Sequence, residues 1–137
     1  MKYLSTYKLF ESTESTKWYH GTNNKFEKFN EPDGNGSRSL GIWATDDKEL
    51  AEMFGEHVIE VELDYKKPFV ITTKKWNDIR DEHATDTTYF LKWKDDLIKK
   101  GYDALFVKEN TWTASSGIVF KDPNIVAVFS ANQIRII

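Results

Sequence analysis

The segment 18–22, Trp-Tyr-His-Gly-Thr, places an imidazole and a hydroxyl on either side of a glycine. The His20 ring and the Thr22 hydroxyl can each hydrogen-bond a polar ligand, and Gly21 lets that ligand approach the backbone closely. The aromatic residues before His20 predict a strand that ends in a turn at Gly21. This segment is the first candidate binding site, and a purely structural histidine is the competing interpretation.

A second candidate is the segment 41–46, Gly-Ile-Trp-Ala-Thr-Asp. It predicts a short strand whose ring, Trp43, could stack on a flat heterocycle; packing of Trp43 in the core is the competing interpretation. Asp46 followed by Glu49 is the pattern of a capping box, so we expect a helix over 47–54. The polar loop between the two segments, 23–39, is long, and long loops in compact domains are usually functional.

Composition narrows the class of protein. The chain has 137 residues, with 22 acidic and 19 basic side chains, 15% aromatic residues, 3 histidines and no cysteine. The size and aromatic content predict one compact domain, and the lack of cysteine excludes disulfides, zinc fingers and thiol catalysis. The scattered histidines argue against a metal site, and the net charge of −3 argues against general nucleic-acid binding. Without a long apolar run or a recognisable signal peptide, the sequence predicts a cytoplasmic protein that does not enter a membrane.

Hydrophobic periodicity predicts that short strands outnumber helices. Strands are expected over 17–22, 40–45, 57–63, 68–72, 103–107, 118–120, 126–129 and 133–137, and helices over 47–54 and 86–100 with a helical turn at 76–80. The segment 1–16 is expected to form an N-terminal arm, either a partly ordered tail or one helical turn, before a domain over 17–137. Helices that fall between groups of strands are typical of an α+β fold with one or two mostly antiparallel sheets.

The order of these segments is similar to that of the ADP-ribosyltransferase superfamily. Tyr-His-Gly-Thr at 19–22 is followed by the polar loop, by Gly-Ile-Trp-Ala-Thr-Asp at 41–46, by Gly-Tyr-Asp-Ala at 101–104, and by Val-Ala-Val-Phe-Ser at 126–130. The chain most resembles the small bacterial and phage branch, which shares a His-Tyr-Glu arrangement with diphtheria toxin and the poly-ADP-ribose polymerases. The resemblance implies a split β-sandwich with short helices, and NAD as the substrate.

The resemblance also implies roles for individual residues. His20 stands where the family hydrogen-bonds a ribose hydroxyl of NAD, and Gly21 where the backbone pairs with the nicotinamide carboxamide. Thr22 matches the small hydroxyl residue beside them, and Trp43 matches the aromatic residue that stacks on the nicotinamide ring. Arg38, in the polar loop, could meet the NAD pyrophosphate, and a solvated loop charge is its competing interpretation.

The third motif of the family is where this sequence departs. The family's catalytic Glu precedes the strand that aligns with 126–129, which puts Ile125 at its position and Asn124 before it. The nearest carboxylates, Asp122 and Glu109, would reach this position only with a shifted register, and a second register that aligns 118–120 with the strand puts Ser116 at the Glu position. A carboxylate stabilises the oxocarbenium-like state that forms as nicotinamide leaves, so its absence argues against the synthesis of long polymers.

The resulting hypothesis is a NAD-dependent mono-ADP-ribosyltransferase that modifies a protein or nucleic-acid target. The resemblance implies that the substrate can supply the missing carboxylate, and a phage or bacterial effector acting in a cytoplasm fits the family. A catalytically inactive NAD- or ADP-ribose-pocket module, acting as an inhibitor or adaptor, is the alternative. An RNA 2′-phosphotransferase, which shares the fold, is disfavoured because Arg38, Arg80 and Arg135 do not neighbour the key motifs. Trp112 and Phe120 are candidate contacts to the target.

Overall fold

The computed structural model describes residues 17–32, 34–108, 111–113, 117, 119–121 and 123–137, so the expected arm over 1–16 lies outside the described part. The strands are β1 Trp18–Thr22, β2 Ile42–Thr45, β3 His57–Leu63, β4 Pro68–Thr72, β5 Ala104–Lys108, β6 Thr111–Thr113, β7 Val119–Lys121, β8 Ile125–Val128 and β9 Ile134–Ile136. The helices are α1 Lys48–Glu52, α2 Thr73–His83 and α3 Thr87–Lys99, with 3-10 helices at Gly36–Ser39 and Ala131–Gln133. The architecture is therefore α+β, as the sequence predicts.

Seven strands form one sheet in the order β9-β3-β1-β2-β8-β5-β4, and β6 pairs with β7 in a separate hairpin. Neighbouring strands are antiparallel except β4 and β5, which are parallel. The chain between β4 and β5 contains α2 and α3, and parallel neighbours require a crossover of this kind. The expectation of mostly antiparallel sheets is confirmed.

The seven-stranded sheet is nearly divided between β1 and β2. These strands share a single register pair, Tyr19 with Thr45, whereas β1 pairs with β3 along its whole length. On the other side of the division, β2 pairs with β8 from Ile42 to Thr45. The sheet thus consists of a three-stranded half, β9-β3-β1, and a four-stranded half, β2-β8-β5-β4, which separate beyond Tyr19.

Two hydrophobic cores hold the helices and the two halves of the sheet together. On one face, α2 and α3 cover the four-stranded half, and the buried residues there are Leu40, Ile71, Trp76, Ile79, Phe90, Leu97, Leu105, Val107, Ala127 and Phe129. The other core joins the two halves through Trp18, Phe29, Ile42, Ala44, Val61, Ala104, Val126, Val128 and Ile134. Along β8, Ala127 enters the first core while Val126 and Val128 enter the second, because alternate side chains of a strand point to opposite faces. The shared second core gives the fold its split β-sandwich character.

Two of the predicted helices differ from the structure. The N-cap of α1 is Asp47, whose Oδ1 accepts a hydrogen bond of 3.1 Å from the Leu50 amide, so the prediction of Asp46 as the cap is wrong. The helical turn expected at 76–80 is a full helix, α2, which begins at the Thr72 cap. Helix α3 ends at Lys99, one residue before the expected end at 100, and Gly101, which follows the C-cap Lys100, has the positive φ of 95° that favours glycine. Within the described residues, no helix is long and apolar enough to cross a membrane.

Candidate active-site cleft

A cleft of about 940 Å³ opens where β1 and β2 separate. Pockets for organic ligands measure roughly 300–1,000 Å³, so this volume suits a ligand as large as a dinucleotide. The walls come from β1, the loop after it, β2, the end of α1, α2 and the first residue of β8. The sequence-predicted residues that line it are His20, Gly21, Thr22, Arg38, Trp43 and Ile125. Segments far apart in the chain thus meet in one cleft.

His20 is held across the gap between the two halves of the sheet. Its Nδ1 lies 2.6 Å from the carbonyl oxygen of Trp43, which can only accept, so Nδ1 carries the ring proton. Phe29 and Phe26 pack edge-on against the imidazole, with centroid distances of 5.0 and 6.2 Å. Burial lowers the pKa of His20 below its usual 6.5, although the hydrogen bond to Trp43 opposes this shift. The ring is therefore neutral at pH 7, and Nε2 is an acceptor suited to a ligand hydroxyl.

Gly21 is required by packing against α1. A methyl group on Gly21 would lie 2.0 Å from the Ala51 carbonyl oxygen and 3.2 Å from Cβ of Phe54. Gly55 makes a similar approach, since a methyl group there would lie 2.3 Å from the Thr22 carbonyl carbon. The Thr22 hydroxyl accepts a hydrogen bond of 3.2 Å from the Asn24 amide and still has a proton to donate. Helix α1 thus supports the floor of the cleft directly beneath the His-Gly-Thr segment.

Trp43 is both a core residue and part of the cleft wall. Its indole is half-buried, lies at a centroid distance of 5.1 Å from the Trp76 ring, and packs against the first core. Its Nε1 donates a hydrogen bond of 3.3 Å to the Ser37 carbonyl, which fixes the ring to the 3-10 helix of the polar loop. The core interpretation of Trp43 is therefore confirmed, and stacking on a ligand stays a prediction that the packing allows, because a ring fixed from one side can present its remaining surface.

Asn124 and Ile125 have different surroundings although they are adjacent. Asn124 donates its backbone N–H and its Nδ2 to the carboxylate of Asp46, at 2.8 and 2.7 Å, and does not line the cleft. Asp46 therefore joins the end of β2 to the start of β8. Ile125 pairs with Thr45, is half-buried and lines the cleft, so the position that the sequence resemblance assigns to the family Glu presents an aliphatic side chain.

Several candidate site residues lie wholly or partly outside the described part of the chain. Asp122, Glu109 and Ser116, the residues of a shifted register, lie outside the described residues. The backbones of Trp112 and Phe120 pair with each other in the β6–β7 hairpin, and their side chains lie outside the described part. The proposed contacts to a target through these two residues stay predictions.

Three cations among the described residues line the cleft: Lys28, Arg38 and Arg80. None of them forms an ion pair with a carboxylate in the described part of the chain. The sequence-based view that no arginine neighbours the key motifs is therefore wrong for Arg38 and Arg80, whereas Arg135 pairs with Glu62 on β9 and β3. Arg80 was missed because its helix was predicted as a single turn. Among the described residues, no cluster of three His, Asp or Glu could hold a metal ion.

Comparison with known proteins supports the resemblance. A family model described as ADP-ribosyltransferase in polyvalent proteins matches residues 12–137, nearly the whole chain. No curated protein and no solved structure matches it at a significant level.

Proposed function

Because the chain belongs to the family of ADP-ribosyltransferases in polyvalent proteins, we propose that it transfers a single ADP-ribose unit from NAD to a protein or nucleic-acid acceptor. The bond between the nicotinamide nitrogen and C1′ of its ribose breaks, and nicotinamide leaves with the bonding electrons as a neutral molecule. A nucleophile of the acceptor forms the new bond to C1′; a carboxylate attacks without losing a proton, and a hydroxyl nucleophile would lose its proton to solvent.

The observation that carries this proposal is the position of His20. Its Nδ1 donates to the Trp43 carbonyl at 2.6 Å, its ring lines the cleft, and its Nε2 has no hydrogen-bond partner among the described residues. A neutral Nε2 accepts from a hydroxyl, and the ribose units of NAD carry hydroxyl groups. His20 would therefore fix the position of one ribose in the cleft.

Trp43 and Gly21 provide the expected nicotinamide site. The indole of Trp43 is held in place by Ser37 and Trp76, so it would lose little freedom when a flat ring stacks on it. Beside it, the Gly21 backbone belongs to the stretch of β1 that has no register partner on β2. A carboxamide could pair with the backbone at this edge, as the family resemblance implies.

Ile125 argues for single transfer. Position 125 carries no carboxylate, so no carboxylate of the described residues is fixed there to stabilise the positive charge that develops at C1′. A carboxylate on the acceptor would stabilise this charge and attack C1′ in the same encounter. A growing ADP-ribose chain has only hydroxyl nucleophiles, so elongation would lack that assistance.

The same residue favours a second candidate function. With Ile125 in place of a carboxylate, the chain would bind NAD or ADP-ribose without reacting, and would act as an inhibitor or adaptor of a partner protein. This candidate and the first make different predictions for transfer but the same prediction for NAD binding.

Incubation with NAD labelled in its adenylate phosphate, together with a cell lysate, tests the proposal. We expect label on macromolecules with the wild-type chain and with His83→Ala, a histidine outside the cleft lining, and at least about tenfold less with His20→Ala. Phosphodiesterase digestion of the product should release AMP alone, because a chain of units would also release phosphoribosyl-AMP. NAD binding without transfer would support the non-catalytic module, and neither binding nor transfer would contradict both candidates.

A further inference from the structure

Helix α2 connects the two ends of the cleft. At its start, the Thr73 hydroxyl donates a hydrogen bond of 3.1 Å to the Lys108 carbonyl at the end of β5. Ile125 lies at this same end of the sheet, because it pairs with Val107. At the other end of α2, the carbonyl of Ala84 lies 3.1 Å from where a methyl group on Gly36 would be. The helix therefore runs from the Ile125 end of the cleft to the 3-10 helix that begins at Gly36.

Arg80 lies near the second of these ends. It follows Trp76 by one helical turn and precedes Ala84 by one turn, so it lies on the α2 face that begins at the buried Trp76 and continues toward Gly36. Its side chain is exposed and lines the cleft. Arg80 is thus separated from Ile125 by most of the length of the helix.

Arg38 lies at the same end. It belongs to the 3-10 helix Gly36–Ser39, which is fixed to α3 by a hydrogen bond of 2.9 Å from the Gly36 amide to the Thr87 hydroxyl. The carbonyl of Ser37, the residue before Arg38, accepts the indole N–H of Trp43. Both arginine side chains therefore line the cleft, Arg38 from the 3-10 helix that holds the Trp43 indole and Arg80 from α2, whose end approaches Gly36 of that helix.

Within the described residues, no carboxylate neutralises the charges at this end. Neither arginine pairs with a carboxylate in the described part, and the one described carboxylate that lines the cleft, Glu31, is engaged elsewhere. Glu31 accepts hydrogen bonds from the Ser130 hydroxyl and the Ala131 amide, at 3.1 and 2.6 Å. Two unpaired guanidinium groups at one end of a cleft bind phosphate oxygens well, because each presents a planar fork of N–H donors.

We infer that Arg80 acts together with Arg38 as the binding site for the pyrophosphate of the NAD donor. This inference rests on the proposed function and adds a residue of α2 to the donor site. The distance along α2 from Ile125 places the pair on the donor side of the cleft rather than beside the reacting C1′ atom. Arg80 would therefore determine that the chain accepts nucleotides with a diphosphate and would not itself take part in bond breaking.

Titration calorimetry with ADP-ribose, NAD and adenosine tests this inference. Arg80→Gln should weaken binding of ADP-ribose and NAD by about 10- to 100-fold, the usual range for a charged hydrogen bond, and should leave adenosine binding unchanged. Arg80→Lys keeps the charge without the fork and should lie between the wild type and Arg80→Gln. Arg135→Gln, a cation outside the cleft lining, should bind all three like the wild type. Because adenosine has no phosphate, a merely structural role for Arg80 would weaken all three ligands alike.

Two results would overturn the inference in different ways. If Arg80→Gln binds ADP-ribose as tightly as the wild type, while His20→Ala loses NAD binding, then Arg80 is not part of the donor site and the proposed function stands. If the wild-type chain itself binds neither NAD nor ADP-ribose, the proposed function fails and this inference fails with it. Equal weakening of adenosine and ADP-ribose by Arg80→Gln would also exclude a phosphate-specific role.

Discussion

The Nδ1 atom of His20 lies 2.6 Å from the carbonyl oxygen of Trp43, across the gap where the two halves of the sheet separate. This hydrogen bond joins the two segments to which the sequence assigns ligand binding. It also selects the ring tautomer, since the carbonyl can only accept, and so leaves Nε2 as an acceptor in the cleft. One interaction thus supports both the structure of the gap and its chemistry.

The buried His20 predicts a specific dependence of stability on pH. Burial lowers its pKa in the folded chain below 6.5, so the unfolded chain takes up this proton at a higher pH than the folded chain does. The neutral, buried imidazole therefore contributes its full share to the free energy of unfolding above pH 6.5. That share is lost as the pH falls from 6.5 toward the folded-state pKa. Urea unfolding at about pH 7.5 and 5.5 should show a larger loss for the wild type than for His20→Asn. Asparagine keeps a donor for Trp43 but does not titrate, so equal losses would contradict the assignment.

The Asp46–Asn124 contact predicts a stability effect at a position that the sequence treats as a helix cap. Asp46→Ala removes two charge-assisted hydrogen bonds between β2 and β8 and should lower the free energy of unfolding by about 2–3 kcal/mol. Asn124→Ala keeps the backbone donor and should cost about 1 kcal/mol. Glu49→Ala, an exposed change on α1, should stay within about 0.5 kcal/mol of the wild type. If Asp46→Ala is as mild as Glu49→Ala in urea titrations, the contact contributes nothing.

These two adjacent aspartates show what local sequence can and cannot predict. The existence of α1 follows from a cap residue before an apolar pair, and both Asp46 and Asp47 satisfy that pattern. The choice between them depends on Asn124, 78 residues away in the chain, and no local pattern contains that information. Helix α2 was underpredicted for a related reason. Only Trp76 and Ile79 of its residues are buried, so its apolar face is too narrow to recognise in the sequence.

Gly21→Ala should damage the cleft through α1. The new methyl group would lie 2.0 Å from the Ala51 carbonyl oxygen, a backbone atom that can move only with the helix. We expect a loss of about 1–3 kcal/mol in the free energy of unfolding, the usual cost of overpacking, together with weaker NAD binding. Urea unfolding and calorimetry on the same preparation would check both. A variant with wild-type stability would show that α1 is free to shift away from β1.

Ile125→Glu should restore the carboxylate that the family resemblance expects. Ile125 is half-buried and lines the cleft, so a glutamate there could stabilise positive charge at C1′ of the nicotinamide ribose. We expect nicotinamide release from NAD to rise by at least about tenfold without added acceptor, since a well-placed electrostatic group contributes about 100- to 1,000-fold to catalysis. Ile125→Gln is the matched control of equal shape and should not increase release. Faster nicotinamide release with both variants would indicate a steric effect. Unchanged release with both variants would show that this position lies away from C1′.

All the cleft residues found from the sequence, except Arg38 of the 3-10 helix, share one property. His20, Gly21, Thr22, Trp43 and Ile125 all lie on strands whose short motifs are recognisable in order along the chain. Arg80 lies on a helix without such a motif, and it reaches the cleft only because α2 packs over the four-stranded half. Asn124 is the reverse case. Its position before Ile125 in the sequence suggested a role in the site, and its hydrogen bonds to Asp46 do not support that role. Motif order therefore identifies strand residues well, and contributions from packed helices require the fold.

The most direct test of the central claim uses NAD carrying two labels, one in nicotinamide and one in the adenylate phosphate. The wild-type chain, incubated with this NAD and a cell lysate, should release nicotinamide and attach adenylate label to macromolecules in a ratio of about one to one. His20→Ala should lose both signals together, because the same bond cleavage produces them. Release of nicotinamide without attached label, or no release with NAD still bound, would contradict the claim that this cleft transfers ADP-ribose.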